Sequence, residues 1–77
     1  MTIVERVVKS FESLGGVASL KNIYPVYKQI SDPSEISKTF DRSVQARIEE
    51  NSKDSDAFKG DDIFRSLLGK GKGIWYL

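Results

Sequence analysis

Neither cysteine nor histidine occurs among the 77 residues. Without cysteine there is no disulfide framework and no thiolate zinc site, and an intracellular, cytoplasmic setting is the simpler expectation. Without histidine the chain lacks the commonest general base near neutral pH and most of the usual transition-metal ligands. No apolar run approaches the roughly 18 residues of a membrane helix. The chain begins Thr2-Ile3-Val4-Glu5 rather than with the basic and apolar pattern of a signal peptide, so a soluble, unprocessed protein with no membrane partner is expected.

The carboxylates do not supply the missing chemistry. Glu49 and Glu50 are neighbours on a helical stretch and diverge by about 100°, while Asp61 and Asp62 at a strand entrance point to opposite faces. The run Asp54-x-Asp56 resembles the start of a calcium loop. Phe58 occupies the fifth position, however, Gly60 falls one residue late, and Arg65 stands where the closing glutamate is needed. A domain of this size buries roughly 60% of its unfolded surface, leaving little room for an enclosed active site. No enzymatic activity, metal or cofactor is expected.

The net charge is +1, which alone does not announce a polyanion partner. Its distribution is uneven: residues 1–30 carry +2, residues 31–58 carry −3 and residues 59–77 carry +2. A polyanion-binding face would therefore combine the C-terminal stretch with selected positions of the middle.

Local signals predict three helices. Thr2 and Glu5 form a capping box ahead of Val4, Val7, Val8, Phe11 and Leu14, which share a face of a helix over 3–14; Arg6, Lys9 and Glu12 fall on its solvated side. Gly15-Gly16 ends it. Residues 17–19 form a short strand, and Ser19 caps a second helix over 20–29 in which Pro25 introduces a modest kink. Asp32-Pro33 and Ser37 are alternative starts for a third helix, from 33 or 37 to 51, with Ile36, Phe40, Val44 and Ile48 repeating every fourth residue as a buried stripe. The polar loop that follows is expected to be pinned to the core by Phe58.

Strands over 62–68 and 73–77 then flank Gly69-Lys70-Gly71-Lys72-Gly73, a glycine-containing connector that reads as a β-hairpin tip. A connector made only to reverse the chain favours Asn-Gly or Asp-Gly, so two lysines here point to a partner; the alternative is a solvated turn. It is not a nucleotide-enzyme phosphate loop, because it lacks GxxxxGK[ST] and leads into a strand. Trp75, the sole tryptophan, is expected to close the core.

The resulting class is α+β: three helices and a two- or three-stranded C-terminal hairpin, the order of a winged helix-turn-helix. Leu14-Gly15-Gly16, Ser19-Leu20-x-x-Ile23-Tyr24, Ala46-Arg47-Ile48, Asp54-Ser55, Asp62-Ile63-Phe64 and the run from Gly69 to Trp75 together resemble the small bacterial winged-helix domains often joined to restriction-type or HNH nucleases. The resemblance extends over nearly the whole chain, and the glycine-lysine-tryptophan run is its strongest part. It implies binding of double-stranded DNA, modified or unmodified, and a nuclease domain in cis or a partner protein. It transfers no nuclease activity. The chain departs from the pattern at Gln45, where a basic residue is the commoner choice.

Helical counting puts Lys38, Thr39, Arg42, Ala46, Glu49 and Lys53 opposite the buried stripe of the third helix, with Ser43 and Gln45 on the flanks. Lys38, Thr39, Arg42, Ser43 and Gln45 are donors suited to phosphates and base edges, whereas Glu49 and Glu50 repel phosphate. DNA would thus meet the N-terminal half of this helix, with Lys70, Gly71 and Lys72 at the wing tip on a neighbouring phosphate or minor groove. Arg47 is expected in a structural salt bridge to Asp54 or Asp56. The competing reading is a winged-helix module for protein contacts, favoured by the low net charge and the acidic residues 49–56.

Overall fold

A computed structural model describes residues 2–67 and 73–77. The first helix, α1 (Ile3–Ser13), starts on the expected capping box: the Thr2 hydroxyl accepts from the Glu5 N–H at 3.1 Å and the Glu5 carboxylate accepts from the Thr2 N–H at 2.9 Å. Gly15 and Gly16, at φ +85° and +89°, turn the chain through the left-handed region that side chains resist. The buried stripe is rotated from the expected one. Val7 and Phe11 are fully buried, but Arg6 and Ser10 join them, while Leu14 lies exposed beyond the helix. Arg6, expected on the solvated side, is only 6% exposed.

β1 (Val17–Ser19) follows, and Ser19 caps α2 (Leu20–Ile30) by accepting from the Asn22 N–H at 3.3 Å. Pro25 lies inside α2, which continues past it to Ile30. The third helix differs from expectation. Asp32 does cap a start, accepting from the Ser34 N–H and hydroxyl, but what it starts is one 3-10 turn, Pro33–Glu35. Ile36 leaves that turn with extended backbone, and α3 begins only at Phe40, running Phe40–Glu50. Phe40 marks the start because its ring stacks on Tyr27 at 6.0 Å and meets Tyr24 edge-on at 5.9 Å.

The sheet is antiparallel, with the expected β1 on one side of β3 (Ile74–Tyr76) and β2 (Arg65–Ser66) on the other. Ala18 pairs with Trp75, both buried, so this row forms the inner face. β2 is shorter than the expected 62–68 because the preceding backbone is already committed. The N–H groups of Ile63 and Phe64 both donate to the Asn51 carbonyl, and Phe64 bridges in parallel to Ser52. The chain is free to join β3 only from Arg65 onward.

Val7, Phe11, Ala18, Ile23, Tyr27, Val44, Ile48, Phe64 and Trp75 form the core, which the sheet closes from one side. Phe11 and Phe64 pack with ring centroids 5.3 Å apart. Phe58 is not part of it and is 37% exposed, contrary to its expected role as the loop's anchor. Main-chain bonds hold the loop instead. The Glu50 carbonyl receives the N–H groups of Lys59 and Gly60, and the Asn51 side chain bridges the Arg47 carbonyl at 2.7 Å and the Asp61 N–H at 2.9 Å.

Candidate nucleic-acid interface

The exposed end of α3 is where the expected donors gather. Thr39 is its N-cap residue, but the hydroxyl makes no capping bond; the Thr39 carbonyl instead accepts from the N–H groups of Arg42 and Ser43. The first N–H groups of a helix lack intrahelical acceptors and carry partial positive charge, so this end favours an anion. Lys38 and Thr39 are exposed, but they stand on the turn before α3 and not on the helix. Arg42 is exposed on its first turn, Ser43 is half-buried, and Asp41 beside them brings one opposing charge. Lys38 and Arg42 form no ion pair among the described residues.

Lys28, in the last turn of α2, also reaches the first residue of α3. Its ammonium lies 5.6 Å from the centroid of the Phe40 ring, bringing a third positive charge to this end. Sequence gave only a lysine in the last turn of α2; the proximity arises from Phe40 packing between helices.

Toward the other end of α3 the character changes. Gln45 is exposed but its amide donates to Glu49 at 3.4 Å. Arg47 pairs with Glu50 at 2.5 Å rather than with Asp54 or Asp56, because a neighbour one helical turn away meets it without loop rearrangement. Asp54 receives the Ser66 N–H at 2.8 Å instead. Lys59 reaches Glu50 from the loop at 3.3 Å. Burial pushes the Glu50 carboxyl up, but the bond from Lys59 and the charges of Arg47 and Lys59 outweigh it and hold the group below its ordinary range. Glu50 therefore stays ionised and is charge-paired in place by Arg47 and Lys59, so the carboxylates that α3 presents near the donors are Asp41 on its first turn and Glu49.

Beyond Glu49 lies a pocket of about 380 Å³ walled by Leu20, Gln45, Glu49, Asp54, Asp56 and Trp75. Trp75 is 7% exposed, as expected of a core residue, and its indole N–H has no acceptor among the described residues. The carboxylates make this pocket a boundary for phosphate. Among the described residues no three acidic side chains are arranged to hold a metal ion, and no helix is long and apolar enough to cross a membrane.

Lys70, Gly71 and Lys72 lie outside the described residues; Gly73, which follows them at φ +72°, leads into β3. What the described residues define is an α+β fold of three helices and a three-stranded antiparallel sheet, with basic side chains at the N-terminal end of α3 and an acidic pocket against its Gln45–Glu49 portion. Comparison with protein-family models, curated proteins and solved structures found no match.

Proposed function

We propose that the chain is a winged-helix module that binds double-stranded DNA through the N-terminal end of α3, of the kind joined in bacteria to restriction-type or HNH nucleases. The observation that carries this reading is the concentration of Lys28, Lys38 and Arg42 at a helix end whose N-cap side chain is unused, with no ion pair to Lys38 or Arg42 among the described residues. The element order and the β1-β3-β2 sheet support it. In this reading α3 meets the major groove through Arg42, Ser43 and the adjoining Lys38 and Thr39. Gln45, tied to Glu49, stands at the margin. This reading assigns Lys70, Gly71 and Lys72, which lie outside the described residues, to contacts with phosphate or the minor groove.

Binding measured by fluorescence anisotropy against ionic strength tests the proposal. Three or four phosphate contacts give a log–log slope of about −3. A flat salt dependence, or no binding to any duplex at low salt, overturns it. Random, methylated and hydroxymethylated duplexes in parallel distinguish a general module from a modification reader.

One observation favours a second reading, a protein-interaction module. The pocket beside Trp75 is lined by carboxylates and suits a basic segment of a partner. Partner capture that survives Arg42→Ala, without duplex binding by the wild type, would favour it.

A further inference from the structure

Arg6 is the buried charge that the DNA-binding reading leaves unused. It belongs to α1, yet its Nη1 lies 2.7 Å from the Glu35 carboxylate, on the 3-10 turn between α2 and α3. The two partners are unequally placed: the side chain of Arg6 is 8% exposed and that of Glu35 is 49% exposed. The guanidinium also sits 5.4 Å from the Tyr27 ring centroid, and Tyr27 stacks on Phe40 at 6.0 Å with the rings 11° from parallel. Arg6, Tyr27, Phe40 and Lys28 therefore make one continuous run of contacts across α1, α2 and the start of α3.

The remaining polar bonds of residues 32–38 are local. Asp32 bonds Ser34, the Glu35 N–H donates to the Asp32 carbonyl, the Ile36 N–H to Pro33, and the Ser37 carbonyl accepts from Phe40. Among the described residues the Arg6–Glu35 pair is the one polar contact that fastens this connector to another part of the fold. A buried arginine ion pair is weak evidence of a stabilising role, since a well-packed apolar side chain often serves as well. Here the partner is a connector residue, three positions before Lys38.

We infer that Arg6 is a positioning residue: through Glu35 it fixes the connector that delivers Lys38 and Thr39 to the DNA-facing end of α3. The inference rests on the DNA-binding reading for its consequence and on the connector's geometry for its mechanism.

Glu35→Gln provides a test with opposite signs. Charge alone says that removing a carboxylate near a phosphate-binding surface strengthens duplex binding. The latch says that binding weakens, by about fivefold at 25 °C, the factor that the loss of a modest ion pair carries. The salt slope should stay unchanged because no phosphate contact is removed. Glu35→Asp, which keeps the charge on a shorter arm, should recover most of the affinity. A merely structural pair would lower the melting temperature and leave the affinity at 25 °C alone. Amide hydrogen exchange of Ile36 and Phe40, measured without DNA, gives an independent readout and should accelerate in Glu35→Gln. Equal or tighter duplex binding by this variant overturns the inference, as does unchanged exchange. If the wild type binds no duplex, the DNA reading fails by itself, and the exchange measurement still decides the latch.

Discussion

Gly60 lies against the side-chain amide of Asn51, so closely that a Cβ on Gly60 would overlap the Asn51 oxygen. That amide cannot step aside freely. Its nitrogen donates to the Arg47 carbonyl at the end of α3, and its oxygen accepts from the Asp61 N–H across the loop. Gly60→Ala is therefore expected to destabilise by about 1–3 kcal/mol, the usual range for forced overpacking. Thermal unfolding followed by circular dichroism should show a fall of about 4 °C or more. Asn51→Ala should produce a similar loss by leaving the Asp61 N–H without its acceptor, and unchanged melting in both variants would contradict the clamp.

Phe64 is the second point at which the loop is fixed. It is fully buried against Phe11, and its N–H is bonded to Asn51. Truncation to alanine should cost about 3–5 kcal/mol, read from urea denaturation with the sole tryptophan as the fluorescent probe. Phe58→Ala should cost far less, since that ring is substantially exposed. Equal losses at the two positions would mean that the loop is anchored differently.

For DNA binding, Arg42→Ala is expected to reduce the salt slope by about one and to weaken every duplex that relies on the same phosphate. Alanine at both Lys70 and Lys72 should lower affinity for all sequences alike. Anisotropy titrations on two unrelated duplexes distinguish these outcomes. A loss confined to one sequence would assign the lysines to base reading instead of phosphate.

Acid sensitivity follows from two capping carboxylates. The bond from the Thr2 N–H, with that from its hydroxyl, holds Glu5 below its ordinary value, and the Ser34 N–H and hydroxyl do the same for Asp32. Because each group is depressed in the folded state, its contribution is fully present above the ordinary pKa and is lost as pH falls through the folded one. Stability should thus decline below about pH 4.5, where unfolded glutamate begins to take up protons. Glu5→Gln should flatten part of that decline in a melting series from pH 6 to pH 3. An identical profile for wild type and variant would remove the Thr2–Glu5 box from the account.

At the alkaline end the sign reverses. Burial, aided by the charges of Asp41 and Glu49, raises the Tyr24 phenol above its ordinary 10.0. The folded chain favours the neutral phenol, so this contribution is present below pH 10 and declines as pH rises toward the raised folded value. Tyr24→Phe should lessen the decline, with melting temperature again the readout.

Features that act over three or four residues follow from the residue types alone. The Thr2–Glu5 box, the Ser19 cap and the glycine exit from α1 each depend on neighbours along the chain, and each forms as the residue types dictate. The strand at Val17–Ser19 and the burial of Trp75 were legible too, because a small core has few large side chains with which to close.

Long-range packing made the choice between local signals of equal strength. Asp32-Pro33 and Ser37 both offer a helix start, and packing of Phe40 on Tyr27 and Tyr24 put the start of α3 after both, leaving Lys38 and Thr39 on a turn. Arg6 carries a charge that periodicity assigns to solvent, yet Glu35 and Tyr27 supply the partners that make its burial possible. Phe58 lost its anchoring role because Asn51 and Glu50 had already bound the loop's backbone. In each case the deciding partner lies too far along the chain, or in too irregular a segment, for residue spacing to reveal it.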